Sequence, residues 1–217
     1  MNNRSSNVMR VSQKQYLRDK VVNGAKIYKE YLLNKKFLII CENNDSHEIV
    51  FKKKDFQHLT GIKSDLNENR FFENSAASTL SENNILENQH YNYKTLKFKA
   101  DKIETIDSIL YRNIEGSLFM VDLHTNTRDF PVAIKNINSN VCIGFLGNDN
   151  HARSLRKFSN SQNCRSEKKI KAIFSKTNGD KEYSDIVYIS GDISEILERD
   201  SKYNFSEKIK ESISKYK

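Results

Sequence analysis

The stretch Phe51-Lys52-Lys53-Lys54-Asp55-Phe56-Gln57-His58-Leu59-Thr60-Gly61 sets an imidazole, a hydroxyl and a flexible glycine directly behind three lysines. Those residue types in that order suit phosphate chemistry. Histidine takes or gives a proton near neutrality, Lys52 and Lys54 can hold an anion as point charges, and Thr60 can donate to a phosphate oxygen. An imidazole can move a proton, and a nearby cation can steady charge that builds on a phosphate. His58 is the first candidate for the proton transfer. A plainer reading stands beside it: a helix-turn histidine packed on Phe56 and bonded to a backbone carbonyl, with Thr60 capping a Thr-Gly helix stop.

Other candidates lie further along. Lys97 and Lys99 fall at a helix start and can point to either side of it, toward phosphate or into solvent. His124 ends the strand-like run Phe119-Met120-Val121-Asp122-Leu123, with Arg128 close behind. The two make a second proton-transfer pair or a solvent-facing loop. Residues 151–171 carry Arg153, Arg156, Lys157, Arg165, Lys168, Lys169 and Lys171 against Glu167 alone. With small polar neighbours and Phe158, that mix suits a loop that tracks phosphates, or else a solvated face. Arg153 and Arg156 are the preferred phosphate holders beside Lys97. His47 and His90 fall in turns and carry no case. Cys41 and Cys142 sit in apolar runs as small buried hydrophobes, and Cys164 stands apart. No disulfide framework, metal site or cofactor is expected.

The elements that must position these residues follow from periodicity. Apolar spacing of three and four predicts a helix over 13–34, with Ser12 as N-cap. Strands at 36–42 and 47–53 flank the turn Asn43-Asn44-Asp45-Ser46 as a hairpin. Short helices are expected at 55–59, 66–77 and 82–86, an extended piece at 91–96 and a longer helix at 97–112. Strands follow at 118–123, 132–136, 141–146, 170–176 and 185–190. A helix at 193–199 and an amphipathic tail at 206–216 close the chain. The expected fold is α+β: a central antiparallel sheet of about five short strands, with the N-terminal helix, the hairpin and the C-terminal helix packed around it. The expected organisation is a flexible basic segment 1–12, one domain over 13–200 and a basic tail over 201–217.

Composition bounds the partners. The 217 residues are 37% hydrophobic and 29% charged, with one proline and seven glycines, which supports one lean core and no long linker. The longest apolar run, Phe37-Leu38-Ile39-Ile40-Cys41, is too short for a bilayer, and the first 13 residues lack a signal-peptide apolar region. A cytosolic protein with no membrane association is expected. The net charge of +8 divides as +7 over residues 1–36, −4 over 37–151 and +5 over 152–217. The basic ends suit RNA, DNA or an acidic protein, or are simply solvated lysines.

Three segments resemble a known family. Glu48-Ile49-Val50-Phe51 through Asp55-Phe56-Gln57-His58-Leu59-Thr60-Gly61 is similar to its strand and aromatic-x-His-Leu-Thr-Gly signature. Tyr93-Lys94-Thr95-Leu96-Lys97 and Gly144-Phe145 form the second likeness. Asn160-Ser161, Lys168 through Lys176, and Tyr183 through Tyr188 form the third. Phe158-Ser159 departs from the aromatic-proline expected before Asn160. The chain resembles the phage-associated branch of the barnase–EndoU–colicin–RelE-like (BECR) nucleases, fourth class. The resemblance implies a small metal-independent RNA endonuclease of phage or mobile-element origin acting in a host cytosol. The alternative is a non-catalytic inhibitor that binds nucleic acid, an acidic host protein or a host defence nucleoprotein complex. A third reading is a structural module that docks through its first helix or its tail.

Overall fold

The computed structural model describes residues 9–42, 45–112, 114–158, 163–190 and 203–214. In chain order the elements begin α1 (Val11–Tyr31), β1 (Lys35–Cys41), β2 (Ser46–Val50), α2 (Asp55–Thr60) and β3 (Lys63–Ser64). Then come α3 (Glu68–Ala76), β4 (Ile85–Leu86), α4 (Tyr93–Ile103), β5 (Ser117–His124), β6 (Phe130–Asn136) and β7 (Val141–Leu146). β8 (His151–Lys157), β9 (Asn163–Thr177), β10 (Asp185–Ile189) and α5 (Glu207–Ser214) complete them. The chain divides into two compact units: residues up to 33 with 53–106, and 34–52 with 107 onward.

The first unit is helical. α1 buries Leu17, Val21, Ala25 and Tyr28, the three- and four-residue spacing of an amphipathic helix. Its cap is Arg10 rather than Ser12, and the Gln13 side chain accepts from the Arg10 N–H at 2.9 Å. Gly24 lets α4 approach: a Cβ there would lie 2.5 Å from the Ile103 Cγ2. Tyr28, Phe56 and Phe72 meet edge to face at 5.2–5.8 Å between centroids, and Phe71 tilts against Phe56, so the core of this unit is largely aromatic. α4 begins at Tyr93 with Asn92 as its cap, four residues before the expected start and across the piece read as extended. The Asn92 side chain accepts from the Thr95 N–H at 3.0 Å, a local bond that outweighs the weak strand pattern there.

The second unit corrects the expected sheet. Among the described residues seven strands close a mixed barrel in the order β1-β2-β8-β7-β6-β5-β9, with β9 returning to β1 and β10 added on β9. Every pairing is antiparallel except β2 with β8, which meet in parallel at Val50 and His151. The hairpin β1–β2 is therefore barrel wall and does not pack around a sheet. Residues 151–157 and 163–171 are the physical reason for the difference. They form β8 and the first half of β9, yet their alternating positions are mostly polar, so a period of two was hidden. β9 spans 15 residues because it serves two walls: its first half pairs with β5 and its second with β1 and β10.

Alternation along β1 builds two apolar layers. Phe37 meets Phe51 and Tyr111 edge to face, and Phe51 meets Phe145 in turn. Leu38 and Ile40 join Ala172 and Phe174 in a second layer, covered by Tyr183, Phe205 and the Ile209 and Ile213 of α5. The C-terminal segment thus docks through α5. The helix expected at 193–199 lies outside the described residues. Cys41, Cys142 and Cys164 are free thiols, and burial pushes Cys41 and Cys142 up to about 12.

Phe130 lies over Gly144. A Cβ at position 144 would stand 2.5 Å from its Cδ1. We expect Gly144→Ala to lose about 1–3 kcal/mol by overpacking, measured by urea unfolding, with Phe130→Leu in the same chain recovering part of it. Equal stability of Gly144→Ala and the parent would show that the ring has room to move.

Acid sensitivity is also built into the barrel. Burial works to raise the Glu48 pKa, but hydrogen bonds from Tyr183 and Lys36, with the Lys36 and Lys176 charges, outweigh it and hold it below the ordinary range. A group depressed on folding stabilises above its unfolded pKa, about 4.3, and that contribution fades as pH falls through the folded value. Stability should therefore decline below about pH 4.5, and Glu48→Gln should make the decline shallower in pH-dependent thermal melts. A slope identical to the parent's would remove Glu48 from the acid response.

Candidate functional site

α2 is a single helical turn and a half, and everything about it fixes His58. Phe56 and Leu59 anchor its buried face. Gly61 closes it at φ 68°, donating its N–H to the Gln57 and His58 carbonyls. The left-handed cap suits glycine. Thr60 is fully buried, its hydroxyl donating to the Gln57 carbonyl at 2.8 Å and accepting from the Ile62 N–H at 3.1 Å. Those bonds make Thr60 a helix cap, the plainer of its two readings.

The His58 ring faces a carboxylate. Its Nε2 lies 2.7 Å from the Glu68 Oε1, and its side chain is 29% exposed. Glu68 opens α3, whose cap Asn67 accepts from the Arg70 N–H at 2.9 Å, so the carboxylate stands at the positive end of a capped helix. A carboxylate on one ring nitrogen favours one tautomer and holds the ring's orientation.

The two α4 lysines part company. Lys97 donates to the Tyr16 hydroxyl at 2.8 Å and the Asp101 carboxylate at 2.9 Å, and Tyr16 bonds the same carboxylate. The Tyr16 and Asp101 hydrogen bonds hold its pKa above the usual lysine value. Lys97 therefore secures α1 to α4. Lys99 is only 4% exposed. Its stem lies against Gly61, where a Cβ would stand 2.9 Å from Cδ, and its ammonium lies 5.1 Å from the Tyr91 ring centroid. Asn88 donates to the Gly61 carbonyl at 2.7 Å. The helical unit thus brings together His58, Glu68 and, at the end of the same helix, Lys99 with Tyr91. Lys54, exposed, precedes α2 at its cap position.

The remaining candidates lie in the barrel unit. Lys52 follows β2 rather than extending it, and pairs with Asp149. Arg153 is the extra residue of a bulge, where Gly144 pairs Ser154 and Phe145 pairs Ala152. The Arg156 guanidinium covers the Phe130 ring at 5.2 Å and donates to Thr127 and Ser154. Lys157 ends β8 exposed. Arg165 pairs with Asp122 at 3.1 Å, Lys168 with Asp45, and Lys169 with Glu42 at 3.8 Å. The described part of the basic stretch is therefore strand with alternating sides rather than loop, and Arg165, Lys168 and Lys169 are paired with carboxylates. His124 ends β5, exposed, 3.2 Å from Asp129, with Arg128 exposed in the following turn. Asn160 and Ser161 lie outside the described residues.

Among the described residues no cluster of three or more His, Cys, Asp or Glu side chains is arranged to hold a metal ion. No helix among them is long and apolar enough to cross a membrane.

Sequence reasoning missed Glu68, because no local pattern ties a helix-start carboxylate to a histidine ten residues earlier. It also chose Lys97 over Lys99. Compared with known proteins, residues 20–191 match the model of a family described as phage-Barnase-EndoU-ColicinE5/D-RelE like nuclease 4. No curated protein and no solved structure matches the chain.

Proposed function

Because the chain belongs to the phage-Barnase-EndoU-ColicinE5/D-RelE like nuclease 4 family, we propose that it is a metal-independent RNA endonuclease whose proton-transfer group is His58. The observation that carries this reading is the 2.7 Å contact between a part-exposed His58 ring and Glu68. A ring wrapped in apolar side chains would have argued for packing. A ring set against a carboxylate, with access to solvent, has the arrangement of a working base.

In this reading His58 takes the proton of a ribose 2′-hydroxyl. The freed oxygen attacks phosphorus, and the phosphorane carries its extra charge beside the Lys99 ammonium. The His58 imidazolium, steadied by Glu68, then returns its proton to the departing 5′-oxygen. The 2′-oxygen–phosphorus bond forms and the 5′-oxygen–phosphorus bond breaks, leaving a cyclic 2′,3′-phosphate and a 5′-hydroxyl. The barrel cations supply phosphate contacts that carry no sequence information. Their carboxylate pairs do not prevent this, because exposed ion pairs are worth only about 0–1 kcal/mol and exchange readily for phosphate.

The direct test is incubation of the purified chain with total RNA in EDTA, followed by end analysis. Cyclic phosphate termini support the proposal. Intact RNA, or cleavage that appears only when a divalent cation is restored, removes it.

A further inference from the structure

We infer that the barrel unit carries a separate binding cavity for one phosphorylated nucleoside. The cavity encloses about 590 Å³, opens to solvent, and lies where the starts of β1 and β2, the β7–β8 turn, the end of β9 and the segment before α5 come together. That volume is in the range of small-molecule sites and ample for a single nucleotide. Its lining is polar, and its charges are unevenly satisfied.

The two carboxylates at the cavity are already held. Glu48 takes Lys36 at 3.1 Å and the Tyr183 hydroxyl; Asp149 takes Lys52 and the His151 ring. Lys176 and Lys181 are different. The Lys176 ammonium donates to the Lys181 carbonyl at 3.2 Å and lies 4.4 Å from the Tyr183 ring centroid. Among the described residues neither lysine has a carboxylate within ion-pair distance. Two lysines at one cavity, neither ion-paired to a carboxylate among the described residues although the Lys176 charge also acts on Glu48, can seat a phosphate.

The other wall suits a base. Tyr203 is part-exposed and fixed in place by a 2.6 Å hydrogen bond between its hydroxyl and Ser46 and by an edge contact with Tyr183. A ring held in this way is a stacking platform with little entropy left to lose. Asn148 and Asn204 add amides that can both donate to and accept from a base edge. Phosphate cradle, aromatic platform and amide readers within one cavity fit a nucleoside monophosphate better than a bare anion. The inference rests on the nuclease reading only for expecting nucleic acid as the source of the ligand.

Binding is tested by calorimetry on the full chain with 5′-AMP and 5′-UMP, with adenosine and inorganic phosphate as single-moiety probes. Saturable nucleotide binding is expected, with either moiety alone at least about tenfold weaker. Lys176→Gln with Lys181→Gln should weaken nucleotide binding at least about tenfold, as removal of two charge-assisted contacts predicts. Tyr203→Ala should weaken it about 5–150-fold through lost stacking. His58→Ala should leave it unchanged. A 2′-O-methyl oligonucleotide separates the sources: competition with the mononucleotide identifies a strand subsite, and exclusion of the oligonucleotide identifies a free-nucleotide site. Unaltered binding in the lysine double variant, or phosphate binding as tight as nucleotide binding, overturns the inference. Loss of RNA cleavage in the parent with nucleotide binding intact would strike the nuclease reading and leave the cavity standing.

Discussion

His58→Ala is expected to lower RNA cleavage by about 10²–10⁴-fold while oligonucleotide affinity and thermal stability stay close to the parent's. The size follows from the role. Removing a positioned base forfeits the proton transfer but none of the phosphate contacts. The separation from binding follows from geometry: the ring touches a carboxylate on the neighbouring helix start, and the buried anchors of α2 are Phe56 and Leu59 rather than His58. Glu68→Gln tests the same dyad more gently. The amide keeps a hydrogen bond to the ring but loses the charge that steadies an imidazolium, so kcat should fall by about 10–100-fold. The pH–rate profile should also move, because the imidazolium loses its counter-charge. A purely structural Glu68 would alter melting temperature and leave the profile in place. If His58→Ala cleaves RNA at the parent's rate, the imidazole has no chemical part here and the cleavage reading falls with it.

What could be read from the chain beforehand divides along physical lines. The end of α2 was legible because Thr-Gly closure is local chemistry: one left-handed glycine and one hydroxyl decide it within four residues. The strands β1, β5, β6 and β7 were legible because their buried positions are apolar on both faces or alternate cleanly. β8 and the start of β9 were not. Cys164, Ser166 and Lys168 are the half-buried positions of that segment, and no hydropathy scale ranks them above Arg165 and Glu167 strongly enough to show a period. Barrel closure was beyond reach for a related reason. It depends on one parallel contact between Val50 and His151, residues a hundred positions apart in a chain whose local signals all favour antiparallel pairing. The family likeness reached the nuclease class where composition could say only that the chain is basic.

Lys99→Met is expected to reduce kcat by about 10²–10³-fold, whereas Lys97→Met should leave it close to the parent's. The two lysines stand two positions apart on one helix, a rotation of roughly 200°, so their surroundings are unrelated. Sequence reasoning set the helix start at 97, and no helical face could then be assigned to either residue. In the structure α4 begins at Tyr93, and that register turns Lys97 toward Tyr16 on α1 and Lys99 toward Gly61 at the end of α2. A lysine only 4% exposed is rare. The role proposed for it is a positive charge beside the helix that carries His58, where a phosphorane would gain most from it. Gly61→Ala probes the same contact from the other side. A Cβ would meet the Lys99 stem at 2.9 Å, in a backbone conformation at φ 68° that alanine adopts poorly. That variant should lose both stability and activity, while Lys99→Arg, which keeps the charge but not the shape, should restore only part of the rate lost by Lys99→Met. Equal loss of kcat in Lys97→Met and Lys99→Met would show that the lysines act through the packing of α4, and the charge assigned to Lys99 would have no chemical task.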